Sequence, residues 1–113
     1  MEEPTLGTVR IAPSVLATIV SLTARAVRGV ADMSSVSRPP ARMLHSPHTG
    51  SAPGVTLTVR NGNISADVYI VAVNGTNLRA LGHEVQQRVI EALENMVAMP
   101  SDQVNVYIED VSD

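Results

Sequence analysis

The stretch Val55–Val73, VTLTVRNGNISADVYIVAV, decides the fold because it reads as two strands joined at Asn61-Gly62. Asn-Gly between alternating apolar residues is the strongest short hairpin signal, since a type I′ turn needs positive φ at both central positions. A one-residue slip would move the apolar side chains to the polar face, so turn and pattern predict one register. The predicted facing pairs are Val59 with Ile64, Leu57 with Ala66, Val55 with Val68, Thr58 with Ser65 and Thr56 with Asp67.

Before the hairpin, the chain predicts a strand and then a helix. Gly7–Ala12 alternates between apolar and polar residues and is typical of a short strand. Pro13 follows at a favourable first helical position, and Ser14–Val27 carries one apolar stripe at helical spacing. Gly29 is the expected residue after the helix end.

After the hairpin, a long helix and a last strand are predicted. Thr76 or Asn77 is the expected cap, and Pro100 ends the helix. Gly82 inside this helix suggests close contact with the sheet or the first helix. Val104–Val111 alternates again, with its odd-numbered residues Asn105 to Glu109 facing outward. The apolar stripe of the helix consists of Leu78, Leu81, Val85, Val89, Leu93 and Met96.

This β-α-β-β-α-β order is the ferredoxin-like order, and it predicts an α+β two-layer sandwich. We expect a small, mostly antiparallel sheet with two helices on one face. The uncovered face is polar at the hairpin end and apolar towards Val73, where a protein partner or a second copy could bind. Its members are Thr56, Thr58, Arg60, Asp67, Tyr69, Val71, Val73, Asn105 and Tyr107, of which Tyr69, Val71, Val73 and Tyr107 form the candidate interaction surface.

Length and composition predict a single domain spanning residues 1–113. The chain has no cysteine, which excludes disulfides and thiol chemistry. The acidic, polar start MEEPTLG is unlike a secretory signal, and no run of about 18 apolar residues is available to span a membrane. The expected compartment is the cytoplasm, with membrane association only through a partner or a surface patch.

The segment 34–53 differs from its surroundings. The stretch SSVSRPPARMLHSPHTGSAPG contains four of the seven prolines and no acidic residue. Loops of this length are usually disordered or functional. We interpret the segment as a flexible, mildly basic loop, and a solvated linker explains its composition well.

No pattern in the sequence predicts catalysis, a cofactor or a metal site. His45 and His48 lie in the loop and His83 on a helix, without a third ligand beside them. Glu91 and Glu94 are one helical turn apart on the polar face, which is typical of a solvated surface. Glycine-rich phosphate loops and nucleophile-elbow patterns do not occur. A protein that is not an enzyme is therefore expected.

Nucleic-acid binding is a weaker alternative. The formal net charge is −3, from 8 basic and 11 acidic residues, and the only aromatic residues are Tyr69 and Tyr107. Both features oppose binding to nucleic acid. A possible basic patch consists of Arg25, Arg28, Arg38 and Arg42.

Three stretches resemble the alkaline-shock (Gls-type) envelope stress response family. They are GTVRIAPSVLATIVSLTARAVRGVADM, GVTLTVRNGNISADVYIVAVNGTNL and VQQRVIEALENMVAMPSDQVNVYIEDV. Together they cover nearly the whole chain except the 34–53 loop. The ordered set, with GV, NG and VNV in place, is more specific than any single motif.

The resemblance implies a small, non-enzymatic bacterial protein that acts through protein–protein contacts. Some members of the family lie at the inner face of the cell membrane through a membrane-anchored relative. Others are cytoplasmic and are thought to restrain acetyl-CoA carboxylase. An envelope scaffold, a soluble regulator of a metabolic enzyme and an RNA-binding module are the three hypotheses. The family offers no catalytic residues to carry over to this chain.

Overall fold

The computed structural model describes residues 6–35, 48–97 and 101–113, which form two helices and one five-stranded sheet. The long hairpin lies at the centre of this arrangement. The elements in chain order are α1 (Pro13–Arg25), β1 (Val30–Met33), β2 (Thr49–Ala52), β3 (Val55–Arg60), β4 (Asn63–Val73), α2 (Leu78–Val97) and β5 (Ser101–Ser112).

The hairpin has the predicted register. Val59 faces Ile64 and Val55 faces Val68. The predicted pairs that lie between these two are also observed. Asn61 and Gly62 have φ values of 53° and 78°. Both values lie in the left-handed region that a type I′ turn requires, so the local chemistry of two residues sets the register of the whole hairpin.

Strand β4 organises the sheet because both of its edges are paired. One edge pairs antiparallel with β3 at the start of β4 and with β1 at its end. The other edge pairs in parallel with β5 along nearly the whole strand. β2 extends the sheet beyond β3. Each of β1, β2 and β5 therefore pairs along one edge only in the described sheet.

Both helices pack on the same face of the sheet, which confirms the predicted α+β sandwich. The even-numbered residues of β4 and the odd-numbered residues of β3 point into one apolar core together with the helix stripes. Fully buried side chains from both helices and the sheet meet there, and their removal from water is the main stabilising term. The largest are Leu16, Val20, Leu57, Ile64, Val68, Ile70, Val85, Val89 and Leu93.

The predicted first strand is wrong. Gly7–Ala12 lies outside the sheet, and Val9 is 93% exposed there. Both edges of the central strand β4 are occupied by β1, β3 and β5, so this segment has no edge of β4 with which to pair. The observed order therefore begins with a helix, α-β-β-β-β-α-β, instead of the predicted β-α-β-β-α-β.

Part of the segment interpreted as a loop is also a strand. Thr49–Ala52 forms β2, and Val30–Met33 just before the segment forms β1. Residues 36–47, including Arg38, Arg42 and His45, lie outside the described residues. At β2, the main chain of Pro13 lies where a side chain on residue 50 would project, so only glycine fits beneath the start of α1.

Helix α2 has the predicted cap but not the predicted glycine contact. The Asn77 side-chain oxygen accepts a hydrogen bond from the main-chain N–H of Ala80, at 3.1 Å. A Cβ added to Gly82 would meet nothing within 4 Å, so the predicted close contact at this glycine is wrong. Within the stripe, the four central residues are buried, whereas Leu78 and Met96 at its ends are exposed.

Candidate functional site

The sheet face opposite the helices, called the outer face below, is not covered by any described element. It is formed by the side chains that alternate with the core residues along β3, β4 and β5. All four residues of the candidate interaction surface lie on it, in the two neighbouring strands β4 and β5. These four residues are Tyr69, Val71, Val73 and Tyr107.

Tyr69 and Tyr107 form the centre of the outer face. They are register partners in the parallel β4–β5 pair, and their rings stack with centroids 4.8 Å apart and an interplanar angle of 15°. Tyr69 is half-buried, while Tyr107 is 44% exposed. The pair therefore presents a broad aromatic surface, of the kind enriched at protein interfaces because rings lose little conformational entropy on binding.

The hydroxyl of Tyr69 has a raised pKa. Burial is the largest cause, because it disfavours the phenolate, and the neighbouring Asp67 carboxylate adds to the effect. Tyr107 and Glu109 contribute smaller increments in the same direction. An ordinary tyrosine hydroxyl already holds its proton at neutral pH, and the raised pKa of Tyr69 extends that range to more alkaline pH.

Acidic side chains flank the apolar end of the outer face. Val71 pairs with Asp32 of β1 on one side and with Asp110 of β5 on the other. Val73, the next outward residue along β4, is 43% exposed. Asp67, next to Tyr69, accepts a hydrogen bond from Asn105 at 3.0 Å. The surface is therefore apolar and aromatic with a negative border, which suits a partner whose contact surface is apolar with basic residues around it.

The described part of the predicted basic patch is partly neutralised. Arg25 forms a salt bridge with Asp32, with a nitrogen–oxygen distance of 3.3 Å. Arg28 lines a groove of about 480 Å³ that also contains Glu84 and Arg88. Arg88 itself binds Glu84 at 2.9 Å. The structure thus brings Arg25 and Arg28 to the end of α1, next to acidic residues, and does not join them into a continuous cationic surface.

Metal-ligating residue types do not cluster in the described ranges. Among residues 6–35, 48–97 and 101–113, no three His, Cys, Asp or Glu side chains are placed to hold an ion. His83, Glu91 and Glu94 are all exposed on α2. In the same residues, no helix is long and apolar enough to cross a membrane.

The sequence alone does not predict the two acids that border Val71. Asp32 was missed because β1 was not predicted. Asp110 was missed because the β4–β5 register shifts between Ile70 and Val71, which skips Glu109 and turns Asp110 towards the outer face. A bulge of this kind leaves no simple signal in an alternating sequence.

A model of a known family matches the chain along its full length. The model of the alkaline shock protein 23 family, described as having a cell envelope-related function, matches residues 1–113. The relatives include two uncharacterized bacterial proteins. YqhY of Bacillus subtilis is 29% identical over 108 residues, covering 95% of this chain and 78% of that protein. Spy1614 of Streptococcus pyogenes is 29% identical over 106 residues, covering 93% of this chain and 88% of that protein.

Among solved structures, the chain is similar to MamM CTD. Its copper form aligns with a TM-score of 0.58 and 13% sequence identity, covering 84% of this chain and 81% of that one. A second MamM CTD structure aligns with a TM-score of 0.51 and 15% identity, covering 84% and 92%. At this level of identity the likeness concerns the fold alone.

Proposed function

The chain belongs to the alkaline shock protein 23 family, which has a cell envelope-related function, and we propose that it works there without catalysis, as an interaction protein. It binds a protein partner through the outer face of its sheet. The partner in this proposal is a membrane-anchored relative that holds the protein at the inner face of the cell membrane. Such a scaffold needs a stable fold and an exposed binding face, but no reactive residues.

The observation that carries this proposal is the aromatic and aliphatic patch on the outer face. Its tyrosine stack, with 4.8 Å between the centroids, is held in place by two adjacent strands. A rigid aromatic anchor beside exposed aliphatic residues is the usual composition of a binding hot spot. The patch is small, so the partner must also contact the polar residues around it.

The acidic border favours a basic protein partner over RNA. Asp67 and Asp110 lie beside the patch, where phosphate groups would be repelled. Arg25, one of the described cations, is already paired with Asp32. The same acids would form ion pairs with arginine or lysine side chains around an apolar contact surface on a protein.

The test is an affinity purification of the tagged protein from its native cells, divided into membrane and soluble fractions and treated with RNase. The variant Val73→Asp places a charge in the patch, next to residues that are already acidic. The matched control is Leu22→Asp, because Leu22 is an exposed aliphatic residue, 65% accessible, on α1. Both variants change an exposed residue, so the fold should survive in each.

The proposal predicts that a small membrane-spanning protein copurifies from the membrane fraction with the wild type and with Leu22→Asp. Val73→Asp should lose it. Copurification of acetyl-CoA carboxylase subunits from the soluble fraction would instead indicate a regulator of that enzyme. Partners that disappear after RNase treatment would indicate RNA binding. A partner retained equally by both variants would show that the outer face is not the binding site.

A further inference from the structure

Strand β5 has an unpaired edge. It pairs with β4 on one side, and no described strand pairs with its other side. β5 spans Ser101–Ser112, so this edge is about 40 Å long at 3.3 Å per residue. Long open edges offer a row of main-chain donors and acceptors to any matching strand, and most proteins protect them.

The middle of this edge lacks the usual protection. Residues 103–108, QVNVYI, contain no charge and no proline, and the β-branched and aromatic residues among them favour strand pairing. Acidic residues and register shifts with β4 lie at both ends of this stretch, at Asp102 and at Glu109. Gln86 of α2 donates one hydrogen bond to the main-chain oxygen of Val104, at 3.0 Å. By contrast, the opposite edge strand β2 has only four residues and lies under the start of α1.

A groove runs beside the same edge, between α2 and β5. It has a volume of about 260 Å³, and its lining combines the apolar residues Leu78, Val106 and Ile108 with the polar residues Arg79, His83 and Gln86. Gly82 also lines it and has open space where a Cβ would be. A glycine in a helix costs about 1 kcal/mol relative to alanine. No packing contact within one chain explains why position 82 is a glycine. A strand added along β5 would bring its side chains against this groove and could use the space beside Gly82.

We propose that a second copy of the chain binds here, with its β5 antiparallel to the first along residues 103–109 and a two-fold axis at Val106. The two sheets then form one continuous ten-stranded sheet. Because the axis is perpendicular to the sheet, the helices of both copies lie on the same face. The contact is isologous: each copy supplies the same strand to the other, and the assembly closes as a dimer.

The side chains fit this register on both faces. On the helix face, Val106 meets Val106 of the second copy, and Val104 meets Ile108. On the outer face, Asn105 lies opposite Tyr107. Gln103 lies opposite Glu109, so no acid opposes another acid between residues 103 and 109, and the register with β4 shifts at both ends of this stretch. A parallel pairing in register would place Glu109 against Glu109, and moving the axis to Ile108 would bring the bulge at Glu109 from the end of the contact to its centre.

This inference is independent of what binds the outer face. The dimer leaves Val71 and Val73 uncovered on β4 and places two copies of the patch side by side. A membrane-anchored partner present in several copies would then be held by two sites at once, which raises its apparent affinity. Dimerisation and partner binding are measured separately. A failure to observe one of them therefore does not decide whether the other occurs.

The first test uses single cysteines, because the natural chain has none. In the proposed dimer Val106→Cys faces itself across the axis, with Cβ atoms about 5 Å apart. A short bifunctional thiol reagent should therefore join the two copies at low micromolar protein. Ser51→Cys, on the opposite edge strand β2, is the matched control and should stay uncross-linked. Far-UV circular dichroism verifies that both variants are folded.

The second test changes only exposed charge. Gln103→Arg places a cation opposite Glu109 in both halves of the dimer, whereas Gln103→Glu places an anion there. Cross-strand charge pairs contribute about 0.2–1 kcal/mol each, so the two symmetric pairs should shift the dimer dissociation constant by roughly two- to thirtyfold, in opposite directions. Analytical ultracentrifugation over a concentration series measures both constants against the wild type.

Two results would overturn the proposal. One is a wild-type protein that sediments as a monomer at all concentrations up to about 100 micromolar, a range in which weak specific dimers form. The other is cross-linking of Val106→Cys no faster than that of Ser51→Cys. A dimer in which Tyr107→Cys cross-links and Val106→Cys does not would also contradict the stated register.

Discussion

The rings of Tyr69 and Tyr107 are stacked across two parallel strands, with 4.8 Å between their centroids. They belong to β4 and β5, which are joined in the chain through α2 and not through a turn. The stack therefore forms only when the long helix has brought β5 beside β4 in the right register. One aromatic contact thus stabilises the fold and presents the centre of the outer face.

Replacing the ring of Tyr107 should reveal the contribution of the stack. Tyr107→Leu keeps an apolar side chain but removes the ring contact, and Tyr107→Phe keeps the ring. Aromatic pairs contribute about 0.5–1.5 kcal/mol beyond the area that they bury. We expect Tyr107→Leu to be less stable than Tyr107→Phe by that amount in urea unfolding. Equal stabilities would show that the stack adds nothing to simple burial.

The raised pKa of Tyr69 predicts a loss of stability at alkaline pH. Its folded pKa lies above the ordinary value of 10.0, mainly through burial and then through Asp67. The folded state then holds its proton more tightly than the unfolded state. This contribution is complete below pH 10 and is lost as the pH rises through the folded pKa. Urea midpoints at pH values between about 8 and 11 should fall less in Tyr69→Phe than in the wild type. An identical fall of the urea midpoint in both proteins would show that the alkaline loss of stability does not come from Tyr69.

Replacement by alanine should change the free energy of unfolding in opposite directions at two glycines. Gly50→Ala forces a methyl group into the main chain of Pro13, and overpacking of this kind costs about 1–3 kcal/mol. Gly82→Ala meets nothing within 4 Å and should raise stability by up to about 1 kcal/mol, since alanine favours the helix. Urea unfolding of dilute protein measures both. Destabilisation by Gly82→Ala under these conditions would contradict the open space seen beside α2.

The cap of α2 gives a further prediction. Asn77→Ala removes the acceptor for the N–H of Ala80 and should cost about 0.5–2 kcal/mol. Asn77→Asp keeps a side-chain oxygen at the same position and is the matched control. Urea unfolding should rank the aspartate variant close to the wild type. If the alanine variant is as stable as both, the cap contributes nothing.

The sequence predicts the fold where the signals are local. Asn61 and Gly62 set the register of the hairpin, and helical spacing correctly predicts the buried stripe of α2. The prediction of a first strand is wrong because alternation in Gly7–Ala12 indicates only that the segment could form a strand. It does not show whether another strand is available to pair with it. β2 was missed because TGSA contains poor strand formers, and it is a strand only through its pairing with β3. β1 has four residues and an interrupted register.

The candidate interaction surface follows from alternation alone, since Tyr69, Val71 and Val73 must share one face of β4. Their acidic border could not be predicted, because it depends on β1 and on the bulge in β5. Likewise, the pairing of Arg25 with Asp32 requires the turn between α1 and β1. The long open edge of β5 also becomes visible only when the order of the strands is known.

The most direct measurement of the central claim is site-specific photo-cross-linking in the native cells. A benzophenone amino acid replaces Val73 on the outer face or, as the control, Leu22 on α1, both of which are exposed aliphatic residues at 43% and 65%. Val73 lies on β4, away from the proposed dimer edge, so a cross-link there reports a different partner. We predict one discrete cross-linked membrane protein from position 73 and none from position 22. Cross-links from position 22 alone, or the same products from both positions, would contradict the outer face as the binding site.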